Sequence, residues 1–397
     1  MRILIGWDHR EQAETIALFL SVEQDEATLA ADENDVLRLA ETAGPFDVCL
    51  LALGTPDIEH SYQLFRKLRQ VQPDLPIVGA CQPSDVFRMA RFLMQGLRQY
   101  ILRDSSGDFV FLLRATLWNT VEAVRAERER LLAEKLREEI NSVRKLQESI
   151  LPQDVEAPPG YQIAARYEPS QLRVYGGQPV VMAGGDYYEV SRVDREHTVI
   201  MVGDASGHGM KACMSIITMH TLINLIRSQN YCDAARFMSQ INNRLCAQSF
   251  IQTGGGFITA FYGVLNTVRH ELTWTSAGHP VPLLYQRRTG ELQMLGPHDA
   301  GGLPLGLYED ADYECYTSPL PPISRLVIYT DGLVEAFGED EGRHREFGLA
   351  GVRQTLHHHR HSSTREVLDA LFDDSQAITG GMGRHDDTSI VVVDRLP

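Results

Sequence analysis

A segment with neither glycine nor proline divides this chain. Residues 117–151 lack both residue types and are dense in Glu, Arg and Lys, and their apolar residues recur at three- and four-residue steps. This pattern predicts one long amphipathic helix that ends before Pro152. The chain of 397 residues is longer than one small domain needs, and the patterns on either side of the helix differ. We therefore predict a front domain over residues 1–116, a helical linker over 117–152 and a second domain over 153–397.

The apolar stripe of the predicted helix has two parts. Leu117, Val121 and Val124 form the first part, and Arg128 separates it from the second. The two parts do not share one strict heptad register. The stripe either faces a second copy of the chain in a dimeric coiled coil, which we favour, or docks on a neighbouring domain of the same chain. The second part comprises Leu132, Leu136, Ile140, Val143, Leu146 and Ile150.

The front domain alternates short apolar runs with helix-compatible stretches. This alternation predicts a doubly wound α/β fold, with a parallel sheet and helices on both of its faces. Such sheets carry their functional groups at the carboxyl ends of the strands. The apolar runs are RILIG (2–6), DVCLLAL (47–53), LPIVGAC (75–81) and RQYILR (98–103), and the helix-like stretches are 61–71 and 85–96.

The second domain has a different pattern. Short alternating runs such as HTVIMVGD, FITAFYGVL and RLVIYTDG predict two or more antiparallel sheets. Helix-like stretches lie between them, at residues 210–227, 234–250 and 364–374. Strands with segregated helices indicate an α+β domain, so the chain as a whole is predicted to be multi-domain.

Composition indicates which classes of partner and which cellular location to expect. The formal net charge of −16 disfavours nucleic acid and anionic membranes as main partners, because both would repel the protein. No run of 18 apolar residues exists to span a bilayer, and the N-terminus is too charged for a signal peptide. The six cysteines form no CxxC pair, which is typical of reduced thiols. We expect a cytoplasmic protein.

Four stretches of the second domain place an Asp beside small residues. Carboxylates at strand ends with little bulk around them leave room for an ion and its waters, and hard cations such as Mg²⁺ and Mn²⁺ prefer oxygen ligands. The alternative is that each Asp merely caps a turn, and four such stretches in one domain make that alternative weaker. The stretches are GGDYYEV (184–190), VGDASGHG (202–209), YTDGLVEA (329–336) and RHDDTSIVVV (384–393).

In this order, the four stretches resemble the PPM family of metal-dependent Ser/Thr protein phosphatases, in its branch of bacterial sporulation and stress-response regulators. QESILP, SAGHP and GLPLGL extend the resemblance over residues 147–393. It implies a β-sandwich flanked by helices and a site for two Mn²⁺ or Mg²⁺ ions that activate a bridging water.

The resemblance also implies which residues hold the ions. Asp204 would bridge both of them. Asp331 and Asp386 would complete the first site, and Asp186 with the backbone carbonyl of Ala205 would complete the second.

Some residues of this domain depart from the family pattern, and the roles of others are undecided. Glu189 stands where the family usually has Asp, and we interpret it as a group behind the direct ligands. The segment 171–182 is extra length without an assigned role. His208 and His279 could each act as general acid for the leaving alkoxide or could fix a loop. The His-rich run 357–361 is interpreted as a solvated helix end, because adjacent His residues on a helix cannot converge on one ion.

The front domain resembles a two-component receiver domain that has lost its phosphoacceptor. Receivers carry a Pro four residues after the acceptor Asp, and here Pro56 places Ala52 at that position. Ala cannot form an acyl phosphate, so the usual phosphorylation is excluded. Asp57 lies past the strand end and is a poor substitute.

Other receiver positions are also altered. The acidic pair after the first strand is reduced to Trp7–Asp8, the lysine of the fifth strand appears as Arg103, and the Ser/Thr of the fourth strand falls near Ala80–Cys81. We predict a pseudo-receiver that binds a partner or holds a dimer.

These observations predict a Mn²⁺- or Mg²⁺-dependent protein Ser/Thr phosphatase. By the resemblance, its substrate is an anti-sigma-factor antagonist of the STAS fold. From the domain order alone, we predict that the front domain and the linker helix control activity, and we expect a homodimer through the linker. The alternative from another class is a non-catalytic adaptor or scaffold that binds a sigma-factor regulator. Such adaptors typically have eroded metal carboxylates, whereas all four aspartates are present here.

Overall fold

The computed structural model describes two compact units, Met1–Leu136 and Arg137–Pro397. No helix among the described residues is both long enough and apolar enough to cross a lipid bilayer. The described residues are 1–22, 25–104, 107–152, 154–172, 180–181, 183–207, 209–248, 256–297, 300–340, 343–381 and 383–397.

The first unit is built on a five-stranded parallel sheet with the order β2-β1-β3-β4-β5. This is a doubly wound order, as predicted, and its three inner strands β1, β3 and β4 are buried, whereas the edge strands β2 and β5 are largely exposed or half-buried. The strands are β1 (Arg2–Gly6), β2 (Glu26–Leu29), β3 (Val48–Ala52), β4 (Ile77–Cys81) and β5 (Gln99–Leu102).

Helices cover both faces of this sheet. Alternate strand residues enter two separate apolar clusters, one containing Leu4 and Cys49 and the other containing Ile3 and Val48. The predicted helix over 85–96 is instead a 3₁₀ turn, Pro83–Arg88, followed by a short α-helix. The α-helices are α1 (Arg10–Ser21), α2 (Glu33–Thr42), α3 (Ile58–Val71), α4 (Met89–Met94) and α5 (Val110–Ile150).

Helix α5 is the predicted linker helix, but it begins at Val110 and not at residue 117. The earlier start has a packing reason, because Leu113, Leu117 and Val121 are buried in the same cluster as Ile3. The first part of the stripe therefore docks on the sheet of its own unit. For this part, the prediction of a coiled-coil seam was wrong.

The second part of the stripe is different, because its leucines are exposed, although Ile150 at its end packs against the core of the second unit. Leu132 and Leu136 are 59% and 55% exposed, and Leu146 is 54% exposed. The sequence could not separate the two parts, since both show the same three- and four-residue spacing. Dimerisation through this second part stays a prediction.

The second unit is a sandwich of two five-stranded antiparallel sheets, as predicted. The sheet orders are β15-β12-β11-β10-β9 and β14-β13-β16-β19-β6. Two short hairpins, β7–β8 and β17–β18, complete the described strands. The strands are β6 (Tyr161–Glu168), β7 (Gln171–Leu172), β8 (Val180–Val181), β9 (Asp186–Arg192), β10 (His197–Ala205), β11 (Ile258–Asn266), β12 (Glu271–Ala277), β13 (Leu283–Gln286), β14 (Glu291–Met294), β15 (Tyr316–Pro319), β16 (Ser324–Tyr329), β17 (Phe337–Asp340), β18 (Arg343–Glu346) and β19 (Thr388–Arg395).

Helices pack on the outer face of each sheet. On β16, Leu326 and Ile328 face the other sheet, whereas Val327 and Tyr329 join a cluster with the last two helices. This alternation gives layers of helix, sheet, sheet and helix. The helices are α6 (Met210–Asn230), α7 (Ala234–Cys246), α8 (Gly348–His358) and α9 (Thr364–Ile378).

Two sequence features of this unit can now be placed. His357 and His358 are exposed at the C-terminal end of α8, which confirms the interpretation of the run 357–361 as a solvated helix end. Of the segment 171–182, only the hairpin β7–β8 is described, and residues 173–179 and 182 lie outside the described part of the chain.

Candidate active site

The two sheets bring the four predicted aspartates to one end of the sandwich. Asp186 on β9 is the direct register partner of Asp204 on β10, so both side chains lie on the same face. Asp331 directly follows Thr330 at the end of β16, and Asp386 precedes β19, which is the neighbour of β16. The structure therefore gathers carboxylates that are separated by up to 200 residues, from 186 to 386.

Thr330 joins the two sheets at this point. Its Oγ1 donates to Asp186 Oδ2 at 2.8 Å and accepts from the backbone N–H of Ser389 at 2.8 Å. All three residues are buried. One hydroxyl thus holds a carboxylate of the first sheet against the strand pair that carries Asp331 and Asp386.

The carboxylates destabilise each other's charged form. Burial, followed by the charges of Asp331, Asp386 and Asp387, raises the pKa of Asp204 to about 8. Burial, followed by the charge of Asp204, raises the pKa of Asp186. Burial also raises the pKa of Asp331, and it raises that of Asp386 to about 6. This much uncompensated negative charge favours a bound cation.

The loop before β9 is shaped by two glycines and by Asp387. The buried Asp387 carboxylate accepts from the backbone N–H groups of Ser170 at 2.7 Å and Gly185 at 2.6 Å. A Cβ added to Gly185 would lie 2.7 Å from the Ala205 carbonyl oxygen and 3.3 Å from Asp204 Oδ1. Only glycine therefore lets the loop approach both groups this closely.

Gln147, near the end of α5, holds the same loop from the other side. Its Oε1 accepts from the backbone N–H of Gly184 at 2.7 Å, and its Nε2 donates to the backbone carbonyl of Asp186 at 3.2 Å. The same Nε2 lies 3.4 Å from the hydroxyl of Tyr167. The side chain is fully buried, and the amide therefore matches one donor and one acceptor of the loop backbone.

The donor set fits a hard divalent cation. As predicted from the sequence, it would consist of carboxylate oxygens together with the Ala205 carbonyl, and Mg²⁺ and Mn²⁺ prefer oxygen ligands of this kind. In the described part of the chain, no three His, Cys, Asp or Glu side chains are close enough to form a ready-made metal cage. Sparse carboxylates are nevertheless the usual Mg²⁺ site, since this ion keeps several waters and adds substrate phosphates as ligands.

His208 and His279 are the two candidates for a general acid. His208 lies outside the described residues. His279 is buried, and its Nδ1 lies 2.9 Å from Thr259 Oγ1. Burial lowers the pKa of His279 to about 3, so the ring is neutral at physiological pH. The structure favours the loop-fixing role for His279 over the general-acid role.

The low pKa of His279 predicts a pH-dependent stability. Below about pH 6.5 the unfolded chain protonates this His while the folded protein does not, so stability falls as the pH drops toward 3. This one group contributes a slope of up to about 1.4 kcal/mol per pH unit. Urea unfolding between pH 7 and pH 4 is the measurement.

The control is His279→Asn, whose amide can replace Nδ1 as the partner of Thr259. We expect this variant to be less stable at neutral pH and to lose less stability on acidification. Equal pH slopes for the two proteins would contradict the neutral buried state of His279.

The hydrogen bond that the structure shows for Glu189 joins it to Tyr187 and not to the aspartates. On β9 it alternates with Asp186, so it lies on the opposite face of the strand. Its Oε2 accepts from the Tyr187 hydroxyl at 2.9 Å, and that hydroxyl lies 3.0 Å from His220 Nδ1 on α6. Glu189 therefore belongs to the contact between β9 and α6.

Sequence reasoning missed four residues of the site. Asp387 and Glu335 stood within the quoted motifs, and the pKa of Glu335 is raised first by the charge of Asp331. Thr330 directly precedes Asp331, and Gln147 opens the QESILP stretch. Their positions in these motifs were a usable signal, but their hydrogen bonds depend on long-range packing.

The layered sandwich has the fold of PP2C-type domains. The solved SiaA-PP2C domain of Pseudomonas aeruginosa matches this fold with a TM-score of 0.54 and 19% identity, over 67% of this chain and 99% of that domain. The chain belongs to the SpoIIE family (Stage II sporulation protein E), whose model matches residues 194–396. Family membership confirms that the chain is a phosphatase, as the resemblance implied.

Two relatives from Bacillus subtilis (strain 168) are similar to this chain. Phosphoserine phosphatase RsbU is 23% identical over 315 residues, which cover 79% of this chain and 87% of RsbU. Phosphoserine phosphatase RsbP is 26% identical over 154 residues, which cover 38% of this chain and 36% of RsbP. The similarity to RsbU extends well beyond the residues that the family model matches.

Proposed function

We propose that this chain is a Mn²⁺- or Mg²⁺-dependent phosphatase that hydrolyses phosphoserine or phosphothreonine on a regulatory protein. The observation that carries the proposal is the convergence of Asp186, Asp331 and Asp386 on Asp204 from both sheets. The names of RsbU and RsbP support phosphoserine as the substrate residue.

In this proposal the five predicted residues hold two ions. Asp204 would contribute to both sites, Asp331 and Asp386 would complete one of them, and Asp186 with the Ala205 carbonyl would complete the other. When bound, two divalent cations lower the pKa of a water nucleophile and neutralise charge on the phosphoryl oxygens. Without them, protons would compensate the carboxylates near neutral pH, as the raised pKa values of Asp204 and Asp386 indicate.

The surrounding residues of the chain position this site. Asp387 and Gln147 hold the backbone of 184–186 from two sides, and Thr330 orients the Asp186 carboxylate. Buried, hydrogen-bonded supports of this kind fix the direction of ligands and tune their affinity. His279 is neutral and buried, so it does not protonate the leaving alkoxide in this proposal.

Control by the front domain would reach the site through α5. This helix is continuous from Val110 to Ile150 and carries Gln147 on its last turns. A shift of the helix would move the amide that holds Gly184 and Asp186. Misplacement of about 1 Å in a catalytic site costs a large rate factor, so a small shift is sufficient for control. The exposed Leu132 and Leu136 support a homodimer through the same helix.

The test is phosphate release from a STAS-domain anti-sigma-factor antagonist that is phosphorylated on serine. We expect Mn²⁺-dependent release at a kcat/KM at least about tenfold above that for a phosphotyrosine peptide. Release from p-nitrophenyl phosphate alone would retain the phosphatase and reject this substrate. Equal activity in the presence of excess chelator would reject the metal-dependent mechanism.

A further inference from the structure

A cavity of about 230 Å³ lies in the first unit, at the carboxyl ends of β1 and β3. With the order β2-β1-β3-β4-β5, the connections after these two strands leave toward opposite faces of the sheet. Doubly wound sheets bind their ligands at this position. We call this space the strand-end cavity, and its wall includes Asp8, Val36, Leu51, Ala52, Thr55 and Leu64.

One side of the strand-end cavity is lined by apolar side chains. Val36, Leu51 and Leu64 are buried, and Ala52 contributes only a methyl group at the end of β3. A Cβ on Gly6 would come within 2.9 Å of both Val36 and Leu51, so the backbone itself forms part of the wall. Small side chains at two strand ends keep this space open.

Asp8 is a charged group of this wall, and one of its oxygens lacks a partner among the described residues. Its side chain is 6% exposed. Oδ2 accepts from Thr55 Oγ1 at 2.7 Å and from Arg103 Nη1 at 2.8 Å, whereas Oδ1 has no hydrogen-bond partner among the described residues. A buried acceptor without a donor is unfavourable, because it has lost its water without gaining a partner. Oδ1 therefore keeps the capacity to accept a hydrogen bond from a donor that displaces the atoms covering it.

The charges around the cavity favour a cation. Burial alone would raise the pKa of Asp8, but the hydrogen bonds from Arg103 and Thr55 outweigh it and keep the carboxyl ionised. Arg103 also donates to Gln12, so its guanidinium is already engaged. Asp32 and Glu33 add negative charge at the rim, and Glu33 lies 2.5 Å from His60. This arrangement disfavours phosphate and other anions.

We propose that the strand-end cavity binds a small organic amine, whose ammonium group donates to the carboxylate of Asp8 while its carbon skeleton packs on Val36, Leu51 and Leu64. The volume is below the roughly 300–1,000 Å³ of pockets for drug-sized molecules, so the ligand is small. In this chain, the position that resembles a lost phosphoacceptor site thus becomes a sensor site for a cationic metabolite.

The experiment compares three probes with the same ring, benzylamine, benzyl alcohol and benzoate, on the full chain. Titration calorimetry and ligand-detected NMR measure binding. We expect saturable binding of benzylamine, weaker binding of benzyl alcohol and none of benzoate. Ala52→Leu fills the cavity without a change of charge and should weaken benzylamine binding at least about tenfold. Asp8→Asn should weaken it by a similar factor.

The control is Asp74→Asn, which removes one negative charge from an exposed position of the same unit. Circular dichroism establishes that each variant is folded. Turnover of p-nitrophenyl phosphate shows that the second unit is intact. Equal affinity of the wild type and Ala52→Leu for benzylamine would overturn the proposal, as would preferred binding of benzoate. Absence of saturable benzylamine binding to the wild type at millimolar concentration would also overturn it.

Discussion

Replacement of Asp204 by Asn is expected to abolish Mn²⁺-dependent hydrolysis of p-nitrophenyl phosphate. The substitution keeps the shape of the side chain but removes the central carboxyl group of the cluster, with which Asp186, Asp331 and Asp386 all interact. Metal ions supply several kcal/mol of transition-state stabilisation in such sites. We therefore expect kcat/KM to fall at least about 10³-fold.

The matched control is Asp369→Asn, which removes a carboxylate from a half-exposed position beside Arg166. This variant should keep activity within about twofold, because exposed ion pairs contribute little. Mn²⁺ binding by calorimetry should weaken only in Asp204→Asn. Turnover by Asp204→Asn at the wild-type level would contradict the assignment. A wild type that binds Mn²⁺ without turnover would instead indicate a latent enzyme that requires a partner.

Replacement of Gln147 by Glu is expected to weaken Mn²⁺ activation by about 100-fold. The two side chains have the same shape, but a carboxylate cannot donate to the Asp186 carbonyl, and it adds negative charge beside the cluster. Changes in groups that orient metal ligands cost about 10- to 100-fold in affinity or activity. The measurement is the Mn²⁺ concentration for half-maximal activity, together with kcat at saturating Mn²⁺.

Glu148→Gln is the control for this prediction, because it changes the charge of the next residue, which pairs with Arg144 on the helix surface. We expect little effect from it. Gln147→Ala should also weaken activation, since the buried Gly184 N–H loses its acceptor. An unchanged Mn²⁺ requirement in both Gln147 variants would exclude the helix contact as a route of control.

The contacts of Gln147 also link the helix to the site. Sequence periodicity identified α5 as a helix, and it identified QESILP as part of the family pattern, but it could not assign Gln147 a partner. The amide contacts Gly184 and Asp186, which lie 37 and 39 positions further along the chain. A contact over such a separation follows from packing, and no local pattern encodes it.

Strands and helices could be predicted because the burial of one face makes apolar residues recur with the period of the strand or helix. The inner parallel strands β1, β3 and β4 of the first unit are apolar runs, since both of their faces are covered, and the sandwich strands alternate. The same logic could not decide which apolar residues of α5 are buried, because Leu117 and Leu132 have the same local pattern. Their difference arises from the sheet that covers one and leaves the other exposed.

By itself, the sequence determined the architecture of two domains and a helix, the phosphatase family and the aspartates of the candidate site. These depend on local composition, on short motifs and on their order along the chain. Only the tertiary structure decided that Thr330, Asp387 and Gln147 support the aspartates, that His279 is neutral, and that Asp8 lines a cavity. These properties arise from burial and from contacts between distant segments, because desolvation and hydrogen-bond partners exist only once the strands have been brought together.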